Sequence, residues 1–71
     1  MSWRLARCEA FVHLWVDGGS GRELADVDVG EWVLVDFAHV DRRFVLSLTS
    51  LGQLGFVAKA ALDIVSKGDE P

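Results

Sequence analysis

The amino-acid sequence predicts a small all-β domain, and three observations support this. Two apolar runs rich in β-branched and aromatic residues, residues 31–40 and 44–49, are separated by a polar break of only three residues. Two such runs joined by a short break are typical of a β-hairpin. The N-terminal third alternates with a period of two, and glycine clusters separate the apolar segments.

The length limits the chain to one domain. Seventy-one residues lie near the lower end of what one hydrophobic core stabilises without disulfides or metal. Cys8 is the only cysteine, so an intrachain disulfide is impossible and a reducing, cytoplasmic location is expected. Glu9 and His13 interrupt the apolar N-terminal segment, so we expect neither a signal peptide nor a membrane span. We assign residues 1–67 to the domain and residues 68–71 to a frayed tail.

The charge and the apolar content restrict the partners. The formal net charge is −4 and no basic run is longer than two residues, so nucleic acid is not an expected partner. Half of the chain (51%) is hydrophobic and it contains three tryptophans. A domain this small leaves much of its surface exposed, so part of the apolar surface is expected to face a protein partner or a second copy.

The segment from Ala6 to Val16 alternates in a way that predicts a half-buried strand. Its even positions are all small or aliphatic, including Cys8, while its odd positions carry charged and aromatic residues. A helical stripe through Leu5, Cys8, Val12 and Trp15 is the competing pattern. The choice between strand and helix therefore stays open for residues 3–10.

A glycine-rich turn and an acidic segment follow. Three glycines within four positions predict a turn over residues 17–21. Residues 22–29 mix carboxylates with apolar side chains, and we interpret them as a long loop whose apolar members contact the core. The loop's carboxylates, Glu23, Asp26 and Asp28, are ordinarily solvated charges and are also a candidate contact for a basic partner.

The two apolar runs differ in how their faces are patterned. Residues 32–35 are apolar on both faces, which predicts either a doubly covered strand or a strand whose second face is an interface. In the second run we predict Phe44, Leu46 and Leu48 to point inward and the alternate positions 45, 47 and 49 to point outward. Residues 58–67 fit either a helix or a single tight helical turn followed by a short strand.

The second half of the chain has a recognisable order of glycines, aromatic residues and leucine. Gly30 precedes the first apolar run, Phe44 opens the second, and the segment GQLGFV at 52–57 is followed by four residues and Leu62. This order resembles that of bacterial SH3-like (SH3b-type) domains. The resemblance covers about half of the chain, and the spacing from Gly55 to Leu62 is its most specific part.

The resemblance implies a small five-stranded barrel with a single helical turn before the last strand, and a role in binding. This chain contains no tyrosine, although paired tyrosines line the groove in which eukaryotic relatives bind proline-rich peptides. Recognition of polyproline in that groove is therefore not expected. Members of the family bind cell-wall peptides or proteins, and the fold alone does not define the function.

The sequence offers no set of residues typical of an enzyme or of a bound cofactor. Cys8 lies on the small-residue face, where a cysteine behaves as a small hydrophobe. His13 with Asp17, and His39 with Asp41, lack the four well-placed ligands of a zinc site. We therefore expect no catalytic residue, no metal and no cofactor.

Recognition of another protein is the function that the sequence favours. Strand alternation places Phe11, Trp15, Trp32 and Leu34 off the inner face, and clustered aromatic residues commonly provide interface energy. We therefore predict a non-enzymatic interaction module that binds a protein or peptide partner or self-associates through this apolar face. The alternative is a small inhibitor or regulatory subunit of an enzyme that acts through the acidic loop carrying Glu23, Asp26 and Asp28.

Overall fold

A computed structural model describes residues 3–18 and 21–65, and the all-β prediction is confirmed for them. The strands are β1 (Arg4–Cys8), β2 (Val12–Trp15), β3 (Glu23–Val27), β4 (Trp32–Asp41), β5 (Phe44–Thr49), β6 (Leu54–Ala58) and β7 (Leu62–Ile64). They form one antiparallel sheet in the order β3-β2-β6-β5-β4-β1-β7. The sheet is open, with β3 and β7 at its two ends.

The described residues form seven strands, whereas the resemblance implies five. The alternating segment 6–16 contains two strands, because the chain leaves the extended pairing between Cys8 and Val12. The loop interpretation of residues 22–29 was wrong, since most of that segment is β3, which pairs with β2. The carboxylates concealed this strand, because they replace the apolar residues that mark a strand in sequence.

Both open choices of secondary structure are decided by the described residues. β1 shows that residues 4–8 are strand rather than helix. A single 3₁₀ turn, Lys59–Ala61, precedes β7, in agreement with the turn-plus-strand alternative. Residues 19 and 20 of the predicted glycine turn, residues 66 and 67 of the segment 58–67, and the predicted tail at 68–71 lie outside the described residues.

One face of the sheet encloses the hydrophobic core. Its buried members are Ala6, Cys8, Leu14, Val27, Val33, Val35, Val45 and Val57. Ala6, Cys8 and Leu14 are three of the six even positions that alternation predicted to point inward, and for them the prediction is confirmed. Ala10 is exposed, because it lies between β1 and β2, and Val12 is only partly buried. Val16 is half exposed, because the chain leaves β2 after Trp15.

The predicted inward face of β5 was wrong. Val45, Ser47 and Thr49 point into the core and are at most 8% exposed, while Phe44, Leu46 and Leu48 lie on the opposite, half-buried face. The buried hydroxyls are satisfied: the Ser47 hydroxyl donates to the carbonyl of Val45, and the Thr49 hydroxyl accepts from the backbone N–H of Gln53. Ser47 lies opposite Gly55 of β6, so small residues from two neighbouring strands meet inside the sheet.

Candidate functional site

The hairpin of β2 and β3, with the residue just before β2, brings three aromatic rings and two carboxylates together on one surface. This surface, the hairpin face, consists of Phe11, His13, Trp15, Glu23 and Asp26. The ring of His13 lies between the two larger aromatic rings, with centroid distances of 5.6 Å to Phe11 and 5.9 Å to Trp15. Both contacts are edge-on, at interplanar angles of 82° and 88°. The aromatic neighbours therefore restrict the orientation of the imidazole.

A β-bulge brings both carboxylates to the side of the hairpin that carries the imidazole. Asp26 lies directly opposite His13, and the next pair is Leu14 with Ala25. The register then shifts, so that Trp15 lies opposite Glu23 and β3 has one extra residue, Leu24. Residues three positions apart lie on opposite faces of a regular strand. The extra residue cancels that parity and turns Glu23 toward the same face as Asp26.

The two carboxylates converge on a single nitrogen. The His13 Nδ1 atom is 2.8 Å from Asp26 Oδ1 and 3.5 Å from Glu23 Oε2. The side chains are 37%, 64% and 51% exposed for His13, Asp26 and Glu23, so solvent reaches the cluster. One ligand atom from each residue lies within 4.8 Å of the other two.

A second surface is apolar and lies on the outer face of the sheet. Four leucines opposite one another on β1, β4, β5 and the start of β6 form the leucine row: Leu5, Leu34, Leu48 and Leu54. Leu34 and Leu54 are 38% and 54% exposed. Trp32 lies next to this row and is 38% exposed. The outer face thus presents large apolar side chains that the domain itself does not cover.

Trp32 is held by charged neighbours. The guanidinium carbon of Arg7 lies 5.8 Å from the centroid of the indole ring, within the range of a cation–π contact. The same guanidinium lies 3.8 Å from the Asp63 carboxylate on the neighbouring strand. These contacts hold the exposed indole against the sheet.

The structure therefore divides the seven predicted partner-binding residues into three groups. Phe11, Trp15, Glu23 and Asp26 meet on the hairpin face, and Trp32 and Leu34 share the outer face of β4. Asp28 stands alone as the third, since its carboxylate accepts a hydrogen bond from the Val29 amide in the turn before β4.

Sequence reasoning missed the central position of His13. Alternation placed it on the same face as Phe11 and Trp15, but the predicted acidic partner was Asp17. The actual partners come from β3, which the acidic composition concealed, and from a bulge that no pattern of hydrophobicity marks. His39 was likewise paired in prediction with Asp41, and its ring lies 3.1 Å from a carboxylate oxygen of Asp36 instead.

Cys8 occupies a structural position, as the sequence predicted. Its side chain is 1% exposed within the core. Burial raises the pKa of the Cys8 thiol, and the negative charge of Glu31 raises it further. A thiol with a raised pKa forms little of the thiolate that nucleophilic chemistry requires.

Asp36 is the buried acidic residue of the sheet. Its side chain is 1% exposed and accepts hydrogen bonds from the Ala38 amide at 2.9 Å and from His39 at 3.1 Å. The Ala38 amide is the main cause of a lowered pKa for this carboxyl, with a further contribution from His39, and together they exceed the opposing effect of desolvation. The pairing of β4 with β5 is irregular between Asp36 and Val40. The Asp36 carboxylate therefore stabilises this irregular part of the strand by bonding the Ala38 amide within it.

Comparisons with known proteins do not assign this geometry to a family. No family model, no curated protein and no solved structure matches the chain. Within residues 3–18 and 21–65 the structure has no helix with the length and apolar character needed to cross a membrane.

Proposed function

We propose that this chain is a small non-enzymatic SH3-like interaction module that binds a protein or peptide partner, or a second copy of itself, through the outer face of its sheet. The observation that carries the proposal is the double-sided apolar strand β4. Val33 and Val35 are buried in the core, while Trp32 and Leu34 on the other face are each 38% exposed. Exposed apolar residues grouped on one face are typical of an interaction surface.

The free energy available from burying these apolar side chains is consistent with a complex of modest affinity. Fully burying a large apolar side chain contributes about 1.5–3 kcal/mol, and these residues are already partly covered, so each contributes less than that. Several of them together still offset part of the cost of association. Arg7 adds a charged group beside the indole, and arginine and tryptophan are both residue types enriched among those that dominate binding energy.

The order of the strands supports the SH3-like part of the proposal. β6, β5, β4, β1 and β7 are consecutive neighbours in the sheet, which gives the five strands that such a barrel needs. The 3₁₀ turn before β7 lies where the resemblance implies a helical turn. On this interpretation the hairpin of β2 and β3 is an insertion between the first and second barrel strands.

The chemistry of the described residues supports a role without catalysis. The one thiol is buried and its pKa is raised, and the buried carboxylate of Asp36 is engaged by an amide and an imidazole. The net charge of −4 favours a protein partner over nucleic acid. A cytoplasmic location remains part of the proposal.

The test compares Trp32→Ser with a control at another exposed apolar residue. Leu51 is 86% exposed in the turn between β5 and β6, outside the strands that carry Trp32 and the leucine row, so Leu51→Ser removes an exposed apolar side chain that is not part of the proposed surface. Light scattering over a concentration series measures self-association, and affinity capture from an extract measures binding of other proteins. We expect Trp32→Ser to weaken whichever association the native chain shows by about tenfold or more, because truncation of a central aromatic residue typically costs 2 kcal/mol or more.

The control defines the outcome that counts against the proposal. Leu51→Ser should associate as the native chain does. If the native chain and both variants associate equally, and circular dichroism shows that each variant is folded, Trp32 does not contribute to an interface.

The hairpin face favours a second candidate, the acidic regulatory subunit. The bulge in β3 holds Glu23 and Asp26 together on one exposed surface, which suits a basic partner. Exposed charges are screened by salt, so partner binding by this route should weaken strongly between about 0.05 M and 0.5 M NaCl, whereas binding through Trp32 should change little. Paired substitution Glu23→Gln with Asp26→Asn should then abolish the salt dependence. Salt-independent binding would contradict this candidate.

A further inference from the structure

We propose that the hairpin face binds a divalent metal ion of the zinc class through His13, Glu23 and Asp26. This site goes beyond the proposed interaction module, whose binding through Trp32 needs no metal. It also reverses the sequence-based expectation of no metal, which considered His13 only with Asp17. The inference depends on three ligand atoms from two paired strands that converge on one point.

The distances from His13 Nδ1 to the two carboxylate oxygens are within about half an ångström of the spacing around a small cation. Tetrahedral zinc with bonds of about 2.0–2.1 Å to nitrogen and oxygen keeps its ligand atoms roughly 3.3 Å apart. The distance from His13 Nδ1 to Glu23 Oε2 is 3.5 Å, close to that spacing. The distance from His13 Nδ1 to Asp26 Oδ1 is 2.8 Å, which is a hydrogen bond. Zinc would replace the proton of this bond, with Nδ1 unprotonated and the neutral imidazole keeping its proton on Nε2, and the aspartate would withdraw by about half an ångström. Its side chain is 64% exposed and has room to do so.

The backbone already positions the three ligand side chains before an ion binds. The pairing of β2 with β3 fixes Asp26 opposite His13, and the bulge at Leu24 turns Glu23 to the same face. Bulges frequently re-aim a side chain at a functional position. The rings of Phe11 and Trp15 make T-shaped contacts with the imidazole and restrict its movement. Little conformational freedom of the backbone therefore remains to be lost on binding.

The donor set distinguishes between classes of metal. An imidazole nitrogen with two carboxylates suits zinc and its neighbours among the transition metals, whereas calcium and magnesium prefer sites built from oxygen alone. Three protein ligands leave a coordination position for water or for a group from another molecule. The exposure of the cluster gives an ion a direct path from solvent.

The experiment titrates zinc chloride into the untagged, reduced full chain by calorimetry, and follows the His13 ring by NMR. We expect one zinc per chain, with the ring signals of His13 shifted and those of His39 unchanged. Zinc should also raise the midpoint of thermal unfolding, because an ion that binds the folded state stabilises it. Magnesium chloride at the same concentration should do neither.

Three single substitutions test the ligands. His13→Gln, Glu23→Gln and Asp26→Asn should each weaken zinc binding by about tenfold or more, since even groups that only orient a ligand contribute factors of about 10 to 100. Asp28→Asn and His39→Gln are the controls, because they remove a nearby carboxylate and the other imidazole without touching the cluster. Both should bind zinc as the native chain does.

Two results would overturn the proposal. Absence of zinc binding by the native chain would show that the cluster is an ion pair only. Binding with the same affinity in the three ligand variants would place the zinc elsewhere. Glu23 and Asp26 are more than half exposed, so their variants remain informative even if His13→Gln does not fold.

Discussion

Asp36 shows how one residue links the chemistry of the chain to the shape of a strand. Its buried carboxylate accepts hydrogen bonds from the Ala38 amide and the His39 ring, at the point where β4 departs from regular pairing with β5. An irregular strand leaves backbone groups unpaired, and this carboxylate satisfies one of them. In the sequence, alternation places Asp36 on the same side of the strand as Trp32 and Leu34. The irregular pairing after Asp36, which brings the Ala38 amide to its carboxylate, has no signal in that pattern.

The lowered pKa of Asp36 predicts a loss of stability in acid. A carboxyl whose pKa is lower in the folded state stabilises that state above the ordinary aspartate pKa of about 3.9. This contribution is lost as the pH falls from there through the lowered folded-state pKa. Urea unfolding at a series of pH values should show that decline in the native chain.

The variant Asp36→Asn isolates this contribution. The amide has no charge to lose, so the unfolding free energy of the variant should be lower at neutral pH and should fall less on acidification. Parallel pH profiles for the two proteins would contradict the assigned role of Asp36.

At the scale of elements, alternation predicts which residues share a face but does not say which face is inside. In β5 the aromatic and leucine side chains suggested one assignment, and the structure has the other. Val33 and Val35 of β4 are paired with Thr49 and Ser47, and residues directly opposite each other share a face. Between β4 and β5 the interior thus takes valine and small polar residues, and the leucine and aromatic side chains of these two strands lie on the opposite face.

The packing of β2 against β6 depends on a glycine. A Cβ atom at Gly55 would lie 2.7 Å from Leu14 Cγ and 2.7 Å from the carbonyl oxygen of Trp15. The second contact is with backbone, which cannot rotate away. Gly55→Ala should therefore lower the unfolding free energy by about 1–3 kcal/mol, measured by chemical denaturation. A change below about 0.5 kcal/mol, within the range of ordinary surface substitutions, would show that the two strands move apart freely.

For the whole molecule, sequence reasoning predicted the all-β class and the β4–β5 hairpin, because local patterns encode them. The residues before β7 fitted either a helix or a turn, and only the resemblance to SH3-like domains implied the turn. Sequence reasoning did not predict β3 or the hairpin face, since these depend on contacts between segments and on one extra residue at Leu24. Phe11, Trp15, Glu23 and Asp26 were selected separately as aromatic and acidic candidates. Their meeting around His13 is a property of the three-dimensional fold.

The position of β3 at one end of the sheet bears on how copies of the chain behave when concentrated. An end strand offers backbone amides and carbonyls to a strand from another molecule, which is a common route to aggregation. Two copies that met along β3 would bring Glu23 and Asp26 of one close to the same carboxylates of the other, and like charges repel. An ion that neutralised these carboxylates would reduce that repulsion, so the metal content of a preparation would also influence its colloidal stability.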